Sequence, residues 1–144
     1  MKFLITGGTG LIGKSIVQLL IEKNHHINVL SRKRGEDTKQ VGYYRWSPKN
    51  QTIDFTCIDD VDVIINLAGE NIFGLWTKSK KKKILESRVK SLQLLKKLIK
   101  NRPNNVKQII SASAIGIFPN SKEIIFDENS TQKGSSFLSN VVKE

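Results

Sequence analysis

Two hydrophobic patterns alternate along the chain. Short, nearly continuous apolar runs are typical of strands buried on both faces, and stretches with apolar residues every three or four positions are typical of helices. The runs predict strands at Lys2–Thr6, Ile27–Leu30, Val41–Trp46, Val61–Leu67 and Val106–Ser111. The periodic stretches predict helices at Leu11–Lys23, at about Thr77–Asn101 and from Ser135 to Glu144, the last with Ser135 or Ser136 as its N-cap.

Between and within these elements the pattern varies. The charged stretch Arg32–Gln40 contains a glycine and predicts a loop, whereas Gln51–Asp60 is ambiguous. In the long helix, 3–4-residue spacing predicts the buried stripe Leu85, Val89, Leu92, Leu95 and Ile99.

Strands separated by helices indicate βαβ units. We therefore expect an α/β fold, a doubly wound parallel sheet of four or five strands with helices on both faces. The length of 144 residues predicts one domain, 1–144. Because the chain stops inside a predicted helix without a closing strand, we expect the domain to be incomplete, lacking its last strands and a C-terminal substrate region.

Composition narrows the class of protein. Hydrophobic residues make up 38% and charged residues 26%, which is typical of a globular protein. The single cysteine, Cys57, excludes an internal disulfide framework and a cysteine-rich zinc site. No apolar run reaches the ~20 residues of a membrane span, and no secretory signal is visible, so we expect an intracellular, cytoplasmic location.

The first loop carries the strongest motif. Residues Thr6–Gly13 (TGGTGLIG) fit G-x-G-x-x-G with Gly8, Gly10 and Gly13, and G-x-x-G-x-x-G when the pattern starts at Gly7. The motif lies between the first strand and the first helix, where glycines let the backbone approach a pyrophosphate at the helix N-terminus. We therefore predict a Rossmann-type dinucleotide site. The alternative, a glycine-rich turn without a ligand, is less well supported.

The residues after the second strand indicate which dinucleotide is bound. NAD-binding domains usually place an acid there, to bind the ribose hydroxyls. This chain has Ser31 followed by Arg32, Lys33 and Arg34. A hydroxyl and a guanidinium suit a 2′-phosphate, so NADP(H) is favoured over NAD(H), with Arg32 as the main contact. The alternative is that these cations form a solvated loop.

Two further strand ends are predicted at the same edge of the sheet. The small residues that follow Asn66, namely Leu67, Ala68 and Gly69, allow a ribose or adenine close to the backbone. The Ser111–Ala114 segment offers hydroxyls to a nicotinamide or a substrate carbonyl, although serines that only cap a turn would have the same pattern.

Several segments together resemble one protein family in order and spacing. They are the glycine loop, Ser31-Arg32, NLAGEN (Asn66–Asn71), Glu86–Val89, SASA (Ser111–Ala114) and FLSNVVKE (Phe137–Glu144). In them the chain resembles the atypical, extended short-chain dehydrogenase/reductases of the epimerase family, which are nucleoside-diphosphate-sugar-epimerase-like. The resemblance covers essentially the whole chain, as the N-terminal half of a longer protein.

The resemblance implies an NADP(H)-binding domain of an oxidoreductase or epimerase with an unknown substrate. It implies that Ser31, Arg32, Leu67, Ala68 and Arg88 contact NADP, and that Ser113 occupies the catalytic-serine position. With the glycine loop, the candidate cofactor-binding residues are Thr6, Gly7, Gly10, Leu11, Ile12, Gly13, Ser31, Arg32, Leu67, Ala68, Gly69 and Arg88. No metal site is predicted.

The chain departs from the family at positions that matter for chemistry. Short-chain reductases use a Tyr-x-x-x-Lys pair to move a proton. The nearest segment here has Phe137 and Val141 at those two positions, and the only tyrosines are Tyr43 and Tyr44. Gly116-Ile117-Phe118 also replaces the family's Gly-Tyr-Tyr. We therefore expect little or no turnover from this chain.

Two other classes of function remain open. One is a non-catalytic NADP(H)-binding or sensing module. The other is a basic interaction protein on an empty Rossmann core, since the net charge is +11 and lysines crowd the long helix at Lys78–Lys83 and beyond. No aromatics interleave with these lysines and no nucleic-acid motif is present, so a solvated helix face is favoured over nucleic-acid binding. An exposed sheet edge also allows a homodimer.

Overall fold

Six strands form a single sheet in the computed structural model, which describes all residues from Met1 to Glu144. The strands are β1 (Lys2–Thr6), β2 (His26–Ser31), β3 (Val41–Ser47), β4 (Thr52–Ile53), β5 (Val63–Asn66) and β6 (Gln108–Ser111). The helices are α1 (Leu11–Glu22), α2 (Lys78–Asn101) and α3 (Phe137–Lys143). The chain divides into two compact units, Met1–Ala112 and Ser113–Glu144, and the whole sheet belongs to the first.

The strand order is β4-β3-β2-β1-β5-β6. All neighbouring strands pair in parallel except β3 and β4, which pair antiparallel over two residues. The predicted doubly wound parallel sheet is thus confirmed, with a short antiparallel strand added at one edge. Strand β4 and a 3₁₀ turn at Phe55–Ile58 occupy the ambiguous Gln51–Asp60 stretch. The chain order reverses at β1, so a crevice for ligands is expected at its carboxyl end.

The two faces of the sheet are covered by different helices. Alternate strand residues such as Ile5 and Val29 pack with Leu20 of α1. Their neighbours along the strands, such as Leu4 and Leu30, pack with α2 on the opposite face. Because the central strands are covered on both faces, they are apolar without alternation, which is the pattern that made them recognisable.

The buried stripe predicted for α2 is wrong by one position. The residues that the helix buries are Ile84, Ser91, Leu94, Leu95 and Leu98. Of the predicted stripe only Leu95 is fully buried, and Leu92 is 40% exposed. The true stripe passes through the polar residues Ser87 and Ser91, so counting apolar positions alone shifted it towards Leu85, Val89, Leu92 and Ile99. The helix starts where predicted, with the Thr77 hydroxyl accepting a hydrogen bond from the Lys80 N–H at 3.2 Å.

Strand β6 is the uncovered edge of the sheet. All four of its residues are exposed, including Ile109 and Ile110. Pairing with a second copy through this edge stays a prediction. No helix combines the length and the apolarity that crossing a bilayer requires.

The second unit is small and built around one helix. Ser136 caps α3, with its hydroxyl accepting a hydrogen bond from the Ser139 N–H at 3.1 Å. The Gly134 carbonyl accepts hydrogen bonds from the Ser139 hydroxyl and from Lys143 Nζ, at 2.5 and 2.6 Å. Of the two predicted caps, Ser136 is therefore the one used. That the whole chain forms one nucleotide-binding domain stays a prediction.

Candidate dinucleotide site

The loop between β1 and α1 has room only for glycine at two points. Gly7 has φ +71°, and a Cβ there would lie 2.9 Å from the Leu67 carbonyl carbon and oxygen. A Cβ on Gly13 would collide with the Gly7 carbonyl oxygen and lie 2.7 Å from the Gly8 Cα. The Gly10 N–H closes the turn by donating to the Gly7 carbonyl at 2.9 Å. The motif thus packs the start of α1 against the loop, and the loop against the backbone that follows β5.

The N-terminus of α1 is open to an anion. Its N-cap is Gly10, so no side chain caps the helix, and its first turn contains no acid. The N–H groups of Leu11, Ile12 and Gly13 therefore have no partner within the helix and lie at its positive end. The side chains of Leu11 and Ile12 are 90% and 66% exposed. Backbone donors in this arrangement suit a phosphate.

Thr6 fixes the position of the next strand end. It is fully buried, and its hydroxyl accepts hydrogen bonds from the N–H groups of Leu67 and Ala68 at 3.1 and 3.0 Å. The same hydroxyl donates to Asn66 Oδ1 at 2.7 Å. Its hydroxyl therefore holds the Leu67–Ala68 backbone beside the glycine loop. A direct contact of Thr6 with a cofactor stays a prediction.

Cations surround the end of β2. Ser31 is nearly buried, and its hydroxyl accepts a hydrogen bond from the Lys33 N–H at 3.3 Å. Arg32 directly follows the strand and is exposed. A cleft of about 690 Å³ beside it is lined by Arg32, Arg34 and Arg45 among others, with Asp37 and Asp54 as its only carboxylates. Positive charge therefore exceeds negative charge here.

The loop after β5 is held by α2 at Glu70. The Ser87 hydroxyl accepts a hydrogen bond from the Glu70 N–H at 2.8 Å, and Arg88 Nη1 donates to the Glu70 carbonyl at 3.2 Å. Lys80 Nζ forms an ion pair with the Glu70 carboxylate at 2.8 Å. The hydrogen bond from Lys80 holds the pKa of Glu70 below its usual range, and Arg32 contributes to the same shift. Glu70 is thus kept as an anion at the edge of the site.

Arg88 lies directly under this loop. A Cβ on Gly69 would come within 3.0 Å of the Arg88 Cζ atom, so the guanidinium packs flat against the glycine. Burial lowers the pKa of Arg88, although the group remains charged. Only Nη1 is used in hydrogen bonds within the protein, to the carbonyls of Ile84 and Glu70.

The predicted residues fall into connected groups. Gly7 contacts the Leu67–Ala68 backbone, and Gly69 contacts Arg88. Ser113 is exposed and is the first residue of the second unit, so its role in catalysis stays a prediction. Sequence analysis missed Ser87 and Lys80 as the residues that hold Glu70. The polar interruption of the α2 stripe was the available signal for Ser87.

Comparison with known proteins agrees with this geometry. A model of the "NAD dependent epimerase/dehydratase family" matches residues 3–137. The chain belongs to this family. Two curated relatives, epimerase family protein YfhF of Bacillus subtilis and epimerase family protein SH2119 of Staphylococcus haemolyticus, are each 36% identical to it, over 96% and 98% of this chain. The chain spans 46% of the length of each relative. The resemblance to epimerase-family short-chain reductases is therefore confirmed.

Solved structures of this epimerase family share the fold. The human epimerase family protein SDR39U1 (isoform 2) with NADPH has a TM-score of 0.82 and 32% identity, covering 99% of this chain and 46% of that protein. The nucleoside-diphosphate sugar epimerase of Corynebacterium glutamicum has a TM-score of 0.76 and 30% identity, covering 99% of this chain and 29% of that protein. MoeE5 in complex with UDP-glucuronic acid and NAD, at 17% identity, shares the fold alone.

Proposed function

We propose that this chain binds NADP(H) and forms the nucleotide-binding part of an epimerase-family protein. The proposal rests on the geometry of the Gly7–Gly13 loop, which we call the glycine cradle. The space a Cβ would need at Gly7 and Gly13 is filled by backbone, and the N-terminus of α1 above it has no side-chain cap. Such a loop suits a pyrophosphate, with Gly10, Leu11, Ile12 and Gly13 around it.

The choice of NADP(H) over NAD(H) rests on the end of β2. No acid stands there to meet the ribose hydroxyls, and the exposed Arg32 is free to bind a 2′-phosphate beside the Ser31 hydroxyl. The human relative that contains NADPH, at 32% identity, supports this choice. Leu67, Ala68, Gly69 and Arg88 would line the opposite side of the dinucleotide.

This chain should bind the cofactor with little or no turnover. A proton donor of the usual tyrosine type is missing, since Phe137 and Val141 stand in the Tyr-x-x-x-Lys positions and a phenyl ring carries no transferable proton. Ser113 would polarise a substrate oxygen if the full protein acts as an oxidoreductase or epimerase. The second candidate is a non-catalytic NADP(H) sensor, which is favoured because Phe137 and Val141 replace the proton-transferring pair.

The test is calorimetric titration of NADPH and of NADH into the unchanged chain and into Arg32→Ala, which compares the two affinities in each protein. Losing a charge-assisted hydrogen bond costs roughly 1.5–3 kcal/mol, so the NADPH affinity should fall about tenfold or more. The NADH affinity should change little, because NADH has no 2′-phosphate. Lys39→Ala is the matched control: it removes the same charge from an exposed residue just before β3, at the amino ends of the strands and so away from Arg32. Equal losses for NADPH and NADH would contradict the assignment of Arg32.

A further inference from the structure

Three polar side chains form a row across the carboxyl end of the sheet. Thr6, Asn66 and Ser111 are paired in register on β1, β5 and β6, so their side chains stand next to one another on one face. Thr6 and Asn66 are buried, whereas Ser111 is exposed. The row therefore leads from the interior to the surface at this edge.

The direction of every hydrogen bond in the row is fixed by the backbone. The Thr6 hydroxyl accepts from two backbone N–H groups, those of Leu67 and Ala68, and these occupy both of its lone pairs. Its own proton must then go to Asn66, which lies 2.7 Å away and accepts through Oδ1. This orientation leaves the Asn66 amide nitrogen on the side facing β6.

The last member of the row keeps its proton free for a ligand. Asn66 Nδ2 donates to the Ser111 hydroxyl oxygen at 3.1 Å. The Ser111 proton has no acceptor within the protein, and the side chain is exposed. The Ser111 oxygen is held by Asn66, and its proton remains available to a ligand that offers an acceptor.

The position of β6 indicates which part of a ligand would receive this bond. In a doubly wound sheet the dinucleotide lies across the point where strand order reverses, with its adenosine half beside the loop after β2. β6 is three strand spacings from β2, about 14 Å, so the nicotinamide half of an extended dinucleotide would be its neighbour. That half carries ribose hydroxyls and a carboxamide oxygen, all of which accept hydrogen bonds.

We propose that Ser111 is a ligand-binding residue, which donates a hydrogen bond to an oxygen of the nicotinamide nucleoside and whose hydroxyl is positioned by Asn66 and, through it, by Thr6. This inference rests on the proposed NADP(H) binding. It concerns a residue other than Ser113, the family's catalytic position, and it assigns a function to a side chain that would otherwise only end a strand.

The experiment compares two ligands by calorimetry on the full chain. NADPH contains the nicotinamide half, and adenosine 2′,5′-bisphosphate lacks it. Ser111→Ala should weaken NADPH binding about three- to tenfold, the range for one hydrogen bond, and leave the bisphosphate unchanged. Ser111→Thr keeps the hydroxyl and should bind NADPH within about twofold of the unchanged chain. Ser79→Ala, which removes an exposed helix hydroxyl with no hydrogen-bond partner, is the control.

The outcomes separate the two proposals. If the unchanged chain binds neither ligand, the proposed function is wrong and this inference falls with it. If the chain binds NADPH but Ser111→Ala binds it equally well, or loses the bisphosphate to the same extent, the role of Ser111 is wrong while NADP(H) binding stands. Thermal unfolding of each variant checks that the exposed substitution leaves the fold intact.

Discussion

Replacing Gly13 with alanine should damage both stability and cofactor binding. The added Cβ would collide with the Gly7 carbonyl oxygen and lie 2.7 Å from the Gly8 Cα, and both neighbours are backbone atoms. Overpacking of this kind costs roughly 1–3 kcal/mol, and two close backbone contacts indicate the upper part of that range. Alanine regains about 1 kcal/mol through its higher helix propensity. The net loss is therefore about 1–2 kcal/mol.

Two assays measure this loss. For a chain of this size, each 1 kcal/mol lowers Tm by roughly 3 °C, so Gly13→Ala should unfold about 3–6 °C lower. Because the Gly7–Gly8 backbone must shift to relieve the contact, NADPH affinity should also fall by about tenfold or more, since one misplaced phosphate contact is worth about that much.

A second glycine in the same loop provides the comparison. A Cβ on Gly10 would meet only the Gly7 carbonyl oxygen, at 3.2 Å, and its φ of −79° suits alanine. Gly10→Ala should therefore lower Tm less than Gly13→Ala. The reasoning would be refuted if Gly13→Ala kept the Tm and the NADPH affinity of the unchanged chain, or if Gly10→Ala were the more destabilised of the two.

Two further predictions concern buried groups. Thr6→Val leaves Asn66 Oδ1 and the Ala68 N–H without their partner, so urea unfolding should show a free energy of unfolding lower by about 2–4 kcal/mol. Thr6→Ser keeps the hydroxyl and should lose about 1 kcal/mol. Equal losses in the two variants would exclude the hydrogen bonds as the cause. Burial raises the pKa of the Cys57 thiol to about 12. Iodoacetamide at pH 8 should therefore leave the folded chain unmodified and label Cys57 only on unfolding. Rapid labelling of the native protein would contradict the buried position.

Hydrophobic pattern predicted the sheet because its central strands are buried on both faces. Strands such as β1 and β5 contain apolar runs that only a covered parallel sheet accommodates. The two-residue strand β4 was not predictable, since its pairing with β3 depends on a turn in an ambiguous stretch and not on an apolar run. The α2 stripe was displaced because two of its positions hold serines, the half-buried Ser87 and the buried Ser91, whose hydroxyls form hydrogen bonds.

The candidate site was predictable only in part. The roles of the glycine loop and of Arg32 could each be predicted because each depends on a single short segment of the sequence. The hydrogen bonds that hold Glu70 join residues 10 to 18 positions apart in the chain. The row from Thr6 to Ser111 joins three separate strands. Such arrangements depend on register and on helix rotation. A strand pattern specifies neither of these, so only the three-dimensional structure reveals them.

The most direct test of NADP(H) binding is calorimetric titration of the unchanged chain with NADPH and, separately, with NADH. We expect one NADPH per chain, bound about tenfold or more tighter than NADH, because Arg32 adds a charge-assisted contact to the 2′-phosphate. Binding of neither dinucleotide would contradict the proposed function. Equal binding of both would retain the glycine cradle and contradict the preference for NADP(H).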